Sequence, residues 1–164
     1  MLALLLSFAL QLTNTTAYFF VSHDCPISNY YSQEIRRICE EYGAKGLRCS
    51  LVYVDPTLTD EAVRKHSDEY AHGAYAKIVD RKHELVERFH ATVTPQVVLV
   101  RPDASVAYSG RIDNFYVALG KKRRVVTEHD LRDALDSVTA GKPVAKASAN
   151  PVGCFIPSVS AFSR

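Results

Sequence analysis

Hydrophobic and polar positions follow two different periods along this chain, and the change of period predicts where a strand gives way to a helix. Residues 17–22 (AYFFVS) form a short apolar and aromatic run that is typical of a buried strand. Apolar residues then recur at spacings of three and four, which predicts one face of an amphipathic helix. These residues are Ile27, Tyr31, Ile35, Ile38 and Tyr42. Asp24 is predicted to cap this helix.

The rest of the chain continues to alternate between strands and helices. Strands are predicted over 47–55, 77–80, 96–100 and 105–110, and helices over 59–72, 81–90 and from a cap at Thr127 to Gly141. Strand–helix–strand units imply parallel pairing, whereas the tight turn at 102–103 makes the last two strands antiparallel. The pattern therefore predicts an α/β fold with a central mixed sheet flanked by helices.

Composition and charge add few constraints on function. The chain has 164 residues, 47% of them hydrophobic, and a formal net charge of +2, which suits one globular domain. The basic run 121–124 has no interleaved aromatic residues, so we expect a solvated loop and no nucleic-acid partner. We expect the domain to span residues 18–141 and to be followed by a flexible tail over 142–164.

Residues 1–17 are predicted to be a secretory signal peptide. Residues 2–12 (LALLLSFALQL) are almost entirely apolar, and small residues follow at 15–17, although no Lys or Arg precedes the run. The alternatives are an uncleaved anchor that associates with a membrane through residues 1–12, and a first strand or helix of the domain. The segment favours an exported protein, either periplasmic or secreted.

Cys25 is the main candidate for chemistry because it stands between the predicted strand and helix. Unpaired N–H groups at a helix N-terminus stabilise a thiolate, and Pro26 suits the first turn. His23 would add a positive charge when protonated, and Ser28 lies one helical turn away as a donor to the thiolate. The alternative is a buried, unreactive cysteine.

The chain has four cysteines and six histidines, whose spacing argues against a bound metal. Cys39 lies near the end of a predicted helix and Cys49 near the start of the next strand, so a structural disulfide between them is geometrically feasible. The alternative is two buried free thiols. No C-x-x-C pair and no zinc-type spacing occurs, so neither a metal site nor a cofactor is predicted.

Four segments resemble the thioredoxin-like superfamily, in particular its redoxin group, which includes alkyl hydroperoxide reductase/thiol-specific antioxidant proteins and exported thiol–disulfide proteins. They are FFVSHDCPIS (19–28), LVYVDP (51–56), TVTPQVVLV (92–100) and SGRIDN (109–114). The resemblance implies a thioredoxin-like fold with a helix and a strand inserted after the second core strand. It also implies a cis peptide bond before Pro95, with Thr94 and Pro95 holding the substrate backbone. An ordinary trans proline that opens a strand is the alternative.

The resemblance further implies a thiol–disulfide oxidoreductase that acts on protein thiols or disulfides and is reset by an external reductant. Ser28 stands where the second cysteine of a thioredoxin motif would be, so Cys154 becomes the candidate resolving thiol, unless it has no partner. One alternative is a peroxidase that uses Ser22 and Arg111 to orient a peroxide, although Tyr18 replaces the proline of that motif. The other is a binding module whose cysteine no longer cycles.

Overall fold

The computed structural model describes residues 14–162. Its helices are α1 (Pro26–Tyr30), α2 (Ser32–Gly43), α3 (Asp60–Glu69), α4 (Glu84–Phe89) and α5 (Asp130–Thr139), with a 3₁₀ helix at Val159–Phe162. Its strands are β1 (Thr16–Val21), β2 (Arg48–Tyr53), β3 (Ala76–Val79), β4 (Val93–Thr94), β5 (Gln96–Val100), β6 (Val106–Gly110), β7 (Tyr116–Ala118), β8 (Lys121–Lys122), β9 (Ser148–Ala149) and β10 (Cys154–Phe155). None of the helices in this range is long and apolar enough to cross a membrane.

A six-stranded mixed sheet organises the molecule, which confirms the predicted fold class. Its strand order is β3-β2-β1-β5-β6-β9. The strand β1 pairs in parallel with β2 and antiparallel with β5, and β5 pairs antiparallel with β6. The inserted helix and strand are α3 and β3, and β3 extends the sheet in parallel beside β2. The central position of β1 places Cys25, which follows it, close to the middle of the sheet.

Both faces of the sheet are covered, because side chains of successive strand residues point to opposite sides. Phe19 belongs to the larger apolar cluster, which also contains residues of α2 and α5. Phe20 belongs to a second cluster with Val98 and with Phe89 of α4. Both β1 phenylalanines are completely buried. The two clusters anchor β1, so the residues at its C-terminal end have a fixed position.

The predicted leader overlaps the folded domain. Most of residues 1–17 lie outside the described residues, but Thr16 and Ala17 are part of β1, and Ala17 is completely buried. Cleavage after Ala17 would therefore remove two residues of a central strand. Any cleavage compatible with this fold must occur further upstream.

Two helix predictions need correction. The helix predicted from Ile27 to Tyr42 is two helices, which meet at Tyr31. The last helix begins at Asp130, not after a cap at Thr127, because the Thr127 hydroxyl accepts a hydrogen bond from the Asn114 side chain at 2.7 Å. For the last helix, a contact with a residue outside the local pattern accompanies the shifted boundary.

The C-terminal segment is not a separate tail. The strand β9 pairs in parallel with β6 at the edge of the main sheet, and a Cβ atom on Gly110 would overlap the carbonyl oxygen of Ala149. Further on, β10 pairs antiparallel with β4 in a small second sheet. The domain therefore extends well beyond the predicted boundary at residue 141, because these residues add strands to it.

Candidate active site around Cys25

Cys25 is the N-cap residue of α1, and it is 2% exposed. Its Sγ accepts a hydrogen bond from the Ser28 N–H at 3.4 Å, while Pro26 opens the helix at a position where no N–H is needed. The sequence predicted Asp24 as the cap. Instead, the Asp24 carboxylate accepts a hydrogen bond from the Ser22 hydroxyl. With Cys25 as the N-cap in place of Asp24, the helix begins one residue later than predicted, and the cysteine sulfur faces its first turn.

Cys154 forms a disulfide bond with Cys25, with a Cα–Cα distance of 6.2 Å. The two residues are 129 positions apart in the sequence. Cys154 is held there by β10, in which Cys154 lies opposite Thr94 and Phe155 opposite Val93. Backbone pairing as well as the covalent bond therefore keeps Cys154 at the site.

The peptide bond between Thr94 and Pro95 is cis. It lies between β4 and β5, and the carbonyl oxygen of Thr94 is 3.2 Å from the Sγ of Cys25. Thr94 is 1% exposed. The β4–β5 connection thus directly contacts the sulfur of Cys25 and the strand that carries Cys154.

Ser28 and His23 hold the segment around Cys25 in place. The Ser28 hydroxyl, predicted as a donor to the sulfur, instead accepts a hydrogen bond from the Ser22 N–H at 3.3 Å, so the contact with sulfur comes from the backbone. The His23 carbonyl accepts from the Asn29 side chain at 3.0 Å. The His23 ring lies edge-on to His66, with ring centroids 6.5 Å apart. These bonds fix the turn that presents Cys25.

Arg111 has partners other than Cys25. Its Nε donates to Asp130 at 2.7 Å and its Nη2 to Glu128 at 2.8 Å. Lys146 pairs with the same two carboxylates. Arg111 is not among the residues that line the recess at Cys25. Its guanidinium therefore joins the β6 end to α5, and the expected support of Cys25 is not seen.

A buried histidine network behind the active-site turn was missed by the sequence interpretation. His66 bonds to the Tyr53 hydroxyl through Nδ1 and to the Asn29 side-chain oxygen through Nε2, each at 3.0 Å. The His72 ring lies 5.3 Å from the His66 ring, and its Nε2 bonds to Ser32 at 2.9 Å. A single helix over 59–72 would place these two histidines, six residues apart, on different faces. Instead, α3 ends at Glu69, and the His72 N–H donates to the Ser67 carbonyl at 2.9 Å.

Burial determines the charge state of these histidines. It lowers the pKa of His66, with a smaller contribution from His23. It lowers the pKa of His72 to about 4, with smaller contributions from the charge that His66 carries when protonated and from Lys77. The Nδ1 of His72 is buried without a hydrogen-bond partner among the described residues. Both rings are therefore neutral near pH 7 and act as hydrogen-bonding groups.

Cys39 and Cys49 form the other disulfide, with a Cα–Cα distance of 6.0 Å. It joins α2 to β2 across a sequence separation of 10 residues. Cys39 is 5% exposed, and both residues pack against the larger apolar cluster. Cys49 lies opposite Ala17 at the beginning of β1, whereas Cys25 follows the end of that strand, so the two disulfides belong to opposite ends of β1.

A small recess of about 170 Å³ opens beside the Cys25–Cys154 disulfide. Its walls include Ser22, Thr94 and Val54 together with the carboxylate-bearing residues Asp24 and Asp55. No basic side chain lines it within the range 14–162. The recess is too small for a large cofactor, since pockets for drug-sized ligands are typically about 300–1,000 Å³. It does admit a small group next to the sulfur atoms.

Comparison with protein-family models and with curated proteins finds no match to this sequence. Solved structures do match it. The hypothetical protein SMc02350 of Sinorhizobium meliloti has a TM-score of 0.75 at 24% identity, over 90% of this chain and 81% of that one. The MTB protein dsbF, solved in mixed oxidized and reduced forms, has a TM-score of 0.54 at 14% identity, over 79% of this chain and 84% of its own.

A thioredoxin-like protein from Aeropyrum pernix has a TM-score of 0.52 at 18% identity, over 60% of this chain and 70% of that one. At these identities the likeness concerns the fold. The predicted resemblance rested on the strand–Cys–Pro–helix unit and on the Thr-Pro before a strand. In the structure, Cys25 and Pro26 connect β1 to α1, and Thr94 and Pro95 precede β5, which is the neighbour of β1 in the sheet. The comparisons and the strand order together show that this chain has a thioredoxin-like fold.

Proposed function

We propose that this protein is a thiol–disulfide oxidoreductase in which Cys25 is the nucleophile and Cys154 the resolving thiol. The observation that carries the proposal is the disulfide between two cysteines 129 residues apart, at the N-terminus of α1 and beside the Thr94–Pro95 bond. A purely structural cross-link would not require the sulfur to stand at a helix N-cap, where an N–H donor stabilises a thiolate.

The cycle begins with both cysteines reduced. The Cys25 thiolate attacks one sulfur of a substrate disulfide, so that a Cys25–substrate disulfide forms and the other substrate sulfur leaves as a thiolate. Cys154, as a thiolate, then attacks the Sγ of Cys25, and the second substrate sulfur leaves. Two electrons have passed to the substrate, and an external dithiol returns the Cys25–Cys154 disulfide to two thiols. Thr94 and Pro95 hold the substrate backbone during the exchange.

The two side chains expected to orient a peroxide, Ser22 and Arg111, are bonded to other groups. The Ser22 hydroxyl is bonded to Asp24, and the Arg111 guanidinium is bonded to Asp130 and Glu128. The recess instead carries two carboxylates near the sulfur. A peroxide whose oxygens become negative in the transition state would find no positive side chain among the described lining residues. Disulfide exchange needs no such group.

Turnover of insulin disulfides by an external dithiol tests the proposal. We expect Cys25→Ser to abolish turnover and Cys154→Ser to accumulate a mixed disulfide between Cys25 and insulin, visible by mass spectrometry. The double variant Cys39→Ala/Cys49→Ala is the matched control and should keep activity. Turnover that survives Cys25→Ser would refute the assignment. Absence of any exchange in the parent protein would favour the binding module.

Export of the protein is part of the proposal. Two observations support it: the apolar run at residues 2–12, and two disulfides among the described residues, which persist mainly in oxidising compartments. Expression in a bacterial host followed by cell fractionation tests it. We expect the protein in the periplasm or medium with both disulfides formed. Recovery only from the cytosol, with all four thiols reduced, would contradict export.

A further inference from the structure

The C-terminal strap, defined as residues 153–156, lies along β4 as an added strand. Cys154 is opposite Thr94, Phe155 is opposite Val93, and the Ile156 N–H donates to the Thr92 carbonyl at 3.0 Å. The strap places a cysteine sulfur in covalent contact with Cys25. It thus has the geometry that an extended polypeptide would have when joined to Cys25 by a mixed disulfide.

We propose that the strap occupies the groove in which the reduced protein binds its substrate, and that this groove selects a cysteine preceded by glycine and followed two residues later by an aliphatic side chain. The inference rests on the proposed function, because it identifies the partner class of that same site. The strap and the substrate then exclude each other. Return of the strap expels the product as Cys154 attacks Cys25.

Selection for glycine before the cysteine follows from the close approach of two backbones. Gly153 is buried, and a Cβ atom at this position would overlap the carbonyl oxygen of Thr94. The obstacle is backbone next to a fixed proline, so it cannot rotate away as a side chain would. Any larger residue in this place must pull its strand away from β4.

Selection after the cysteine follows from the alternation of strand side chains. Phe155 is 78% exposed although it borders the recess beside the disulfide, so little of its side chain is buried and we expect binding to depend only weakly on that position. Ile156 is partly buried and packs against the apolar cluster that contains Phe20 and Phe89. Burial of an aliphatic side chain favours binding, so a polar replacement of Ile156 weakens it.

The strap is able to leave once its covalent bond is reduced. Within the strap, the remaining attachments are a two-residue strand pairing, the Ile156 hydrogen bond and the partial burial of Cys154 and Ile156. Beyond the strap, the Phe162 ring contacts the His83 ring. A two-stranded pairing of this size has little stability by itself. The strap nevertheless remains tethered through β9, which gives it a high effective concentration against an external peptide. It therefore returns quickly after each exchange.

Four peptides test the selectivity: Val-Gly-Cys-Phe-Ile and its variants with Ala for Gly, Ala for Phe, or Ser for Ile. Each carries its cysteine as a 2-thiopyridyl disulfide and is mixed with the reduced full chain bearing Cys154→Ser, which cannot resolve the product. Attack by Cys25 releases the coloured pyridinethione, and its appearance gives the rate. The residual strap slows all four peptides equally, so their ratios are independent of it.

We expect the Ala-for-Gly and Ser-for-Ile peptides to react about tenfold more slowly than the parent peptide, which corresponds to about 1.4 kcal/mol. The Ala-for-Phe peptide should react within about twofold of the parent. Equal rates for all four peptides, in a protein that reduces insulin, would overturn the inference and leave the proposed function intact. If no peptide reacts and insulin is not reduced, the proposed function itself has failed.

A second measurement tests whether the strap covers the groove. In the reduced Cys154→Ser chain, Gly153→Ala should displace the strap and raise the rate of Cys25 alkylation by iodoacetamide at least about threefold. Gly43→Ala is the matched control, because a Cβ atom there meets nothing within 4 Å. Ile156→Ser provides an independent displacement if Gly153→Ala does not fold. An alkylation rate that neither strap variant changes would overturn the inference.

Discussion

The Cys25 sulfur lies between a backbone donor and a backbone acceptor. The Ser28 N–H at 3.4 Å favours a thiolate, whereas the Thr94 carbonyl at 3.2 Å accepts a hydrogen bond only from a thiol. Asp24 and Asp55 add negative charge to the recess. Stabilisation of a thiolate at this position therefore depends on the Ser28 N–H. A peptide that moves the Thr94 carbonyl away from the sulfur would favour the thiolate further.

His72 makes stability depend on pH. Above pH 6.5 the ring is neutral in both the folded and the unfolded state. As the pH falls from 6.5 towards 4, the unfolded state takes up a proton that the buried ring does not, so the free energy of unfolding decreases. We expect His72→Gln to remove about 2 kcal/mol of the difference between pH 7 and pH 5, as measured by urea denaturation.

The exposed His129→Gln is the matched control for this measurement and should leave the slope unchanged. His66, whose pKa is also lowered by burial, contributes to the slope in the same direction, so some pH dependence persists in His72→Gln. An identical slope in the parent and in His72→Gln would contradict the assignment of His72 as a neutral buried ring.

Arg111 is expected to stabilise the fold without affecting the reactivity of Cys25. In Arg111→Met the buried carboxylate of Asp130 keeps Lys146 but loses the guanidinium. The free energy of unfolding should fall by about 1–3 kcal/mol, because a buried charge loses part of its pairing. Cys25 alkylation should proceed at the parent rate, and the exposed Arg124→Met is the control. Slower alkylation would restore the predicted active-site role.

At the scale of elements, packing contacts decide where several of them begin and end. The sequence predicts α1 and α2 as one helix because the spacing of apolar residues continues through Tyr31. The Tyr31 hydroxyl donates to Asp113, which lies after β6, and its ring packs against Tyr116. A side chain held from outside the helix accompanies the break between α1 and α2 at this point. The spacing of apolar residues does not show that Tyr31 has such a partner.

The Cys39–Cys49 disulfide connects α2 to β2, and its removal should cost stability only under oxidising conditions. The double variant Cys39→Ala/Cys49→Ala should unfold with a free energy about 2–3 kcal/mol below that of the parent, as expected for closure of a short loop. Denaturant titration measures it. With excess reductant, the free energies of unfolding of the two proteins should become nearly equal. Equal stabilities in oxidised samples would show that this bond does not constrain the unfolded chain.

At the scale of the whole molecule, the Cys25–Cys154 bond ties the C-terminal segment to the centre of the sheet. The segment passes through β9 at the sheet edge before it reaches β4, so the strand β9 remains attached when the bond is reduced. Release of the strap on reduction thus uncovers one groove and removes Ile156 from the edge of the apolar cluster that contains Phe20, while the pairing of β9 with β6 is kept. The redox state of the protein is in this way coupled to access to its own site.

Hydrogen exchange measured by NMR can follow this coupling. We expect reduction to speed exchange of the Ile156 amide at least about tenfold, because its bond to Thr92 depends on the strap staying in place. The central β1 amides, which pair with β2 and β5, should keep their protection. The Cys154→Ser chain should reproduce the fast exchange without reductant. Protection of Ile156 that is the same in both redox states would contradict strap release.

The local features of this protein were determined by the sequence itself. The strand β1, the opening of α1 at Pro26 and the start of the helix predicted from residue 59 are set by neighbours within a few residues, and the sequence predicted each of them. Local propensity and hydrogen bonding are sufficient there, because the interacting groups are already adjacent in the chain. The parallel and antiparallel pairing of the core strands followed from the same elements and the rules of chain connection, whereas β9 at the sheet edge was not predicted.

Tertiary structure alone decided what surrounds Cys25. The position of β10 against β4, the close approach of Gly153 to Thr94 and the hydrogen bond between His66 and Asn29 join segments that no periodic pattern links. The partners of Arg111 were likewise fixed by the way α5 packs, which brings Asp130 within reach. Contacts between distant segments depend on the folding of the whole chain, so their effect on the reactive sulfur becomes visible only in three dimensions.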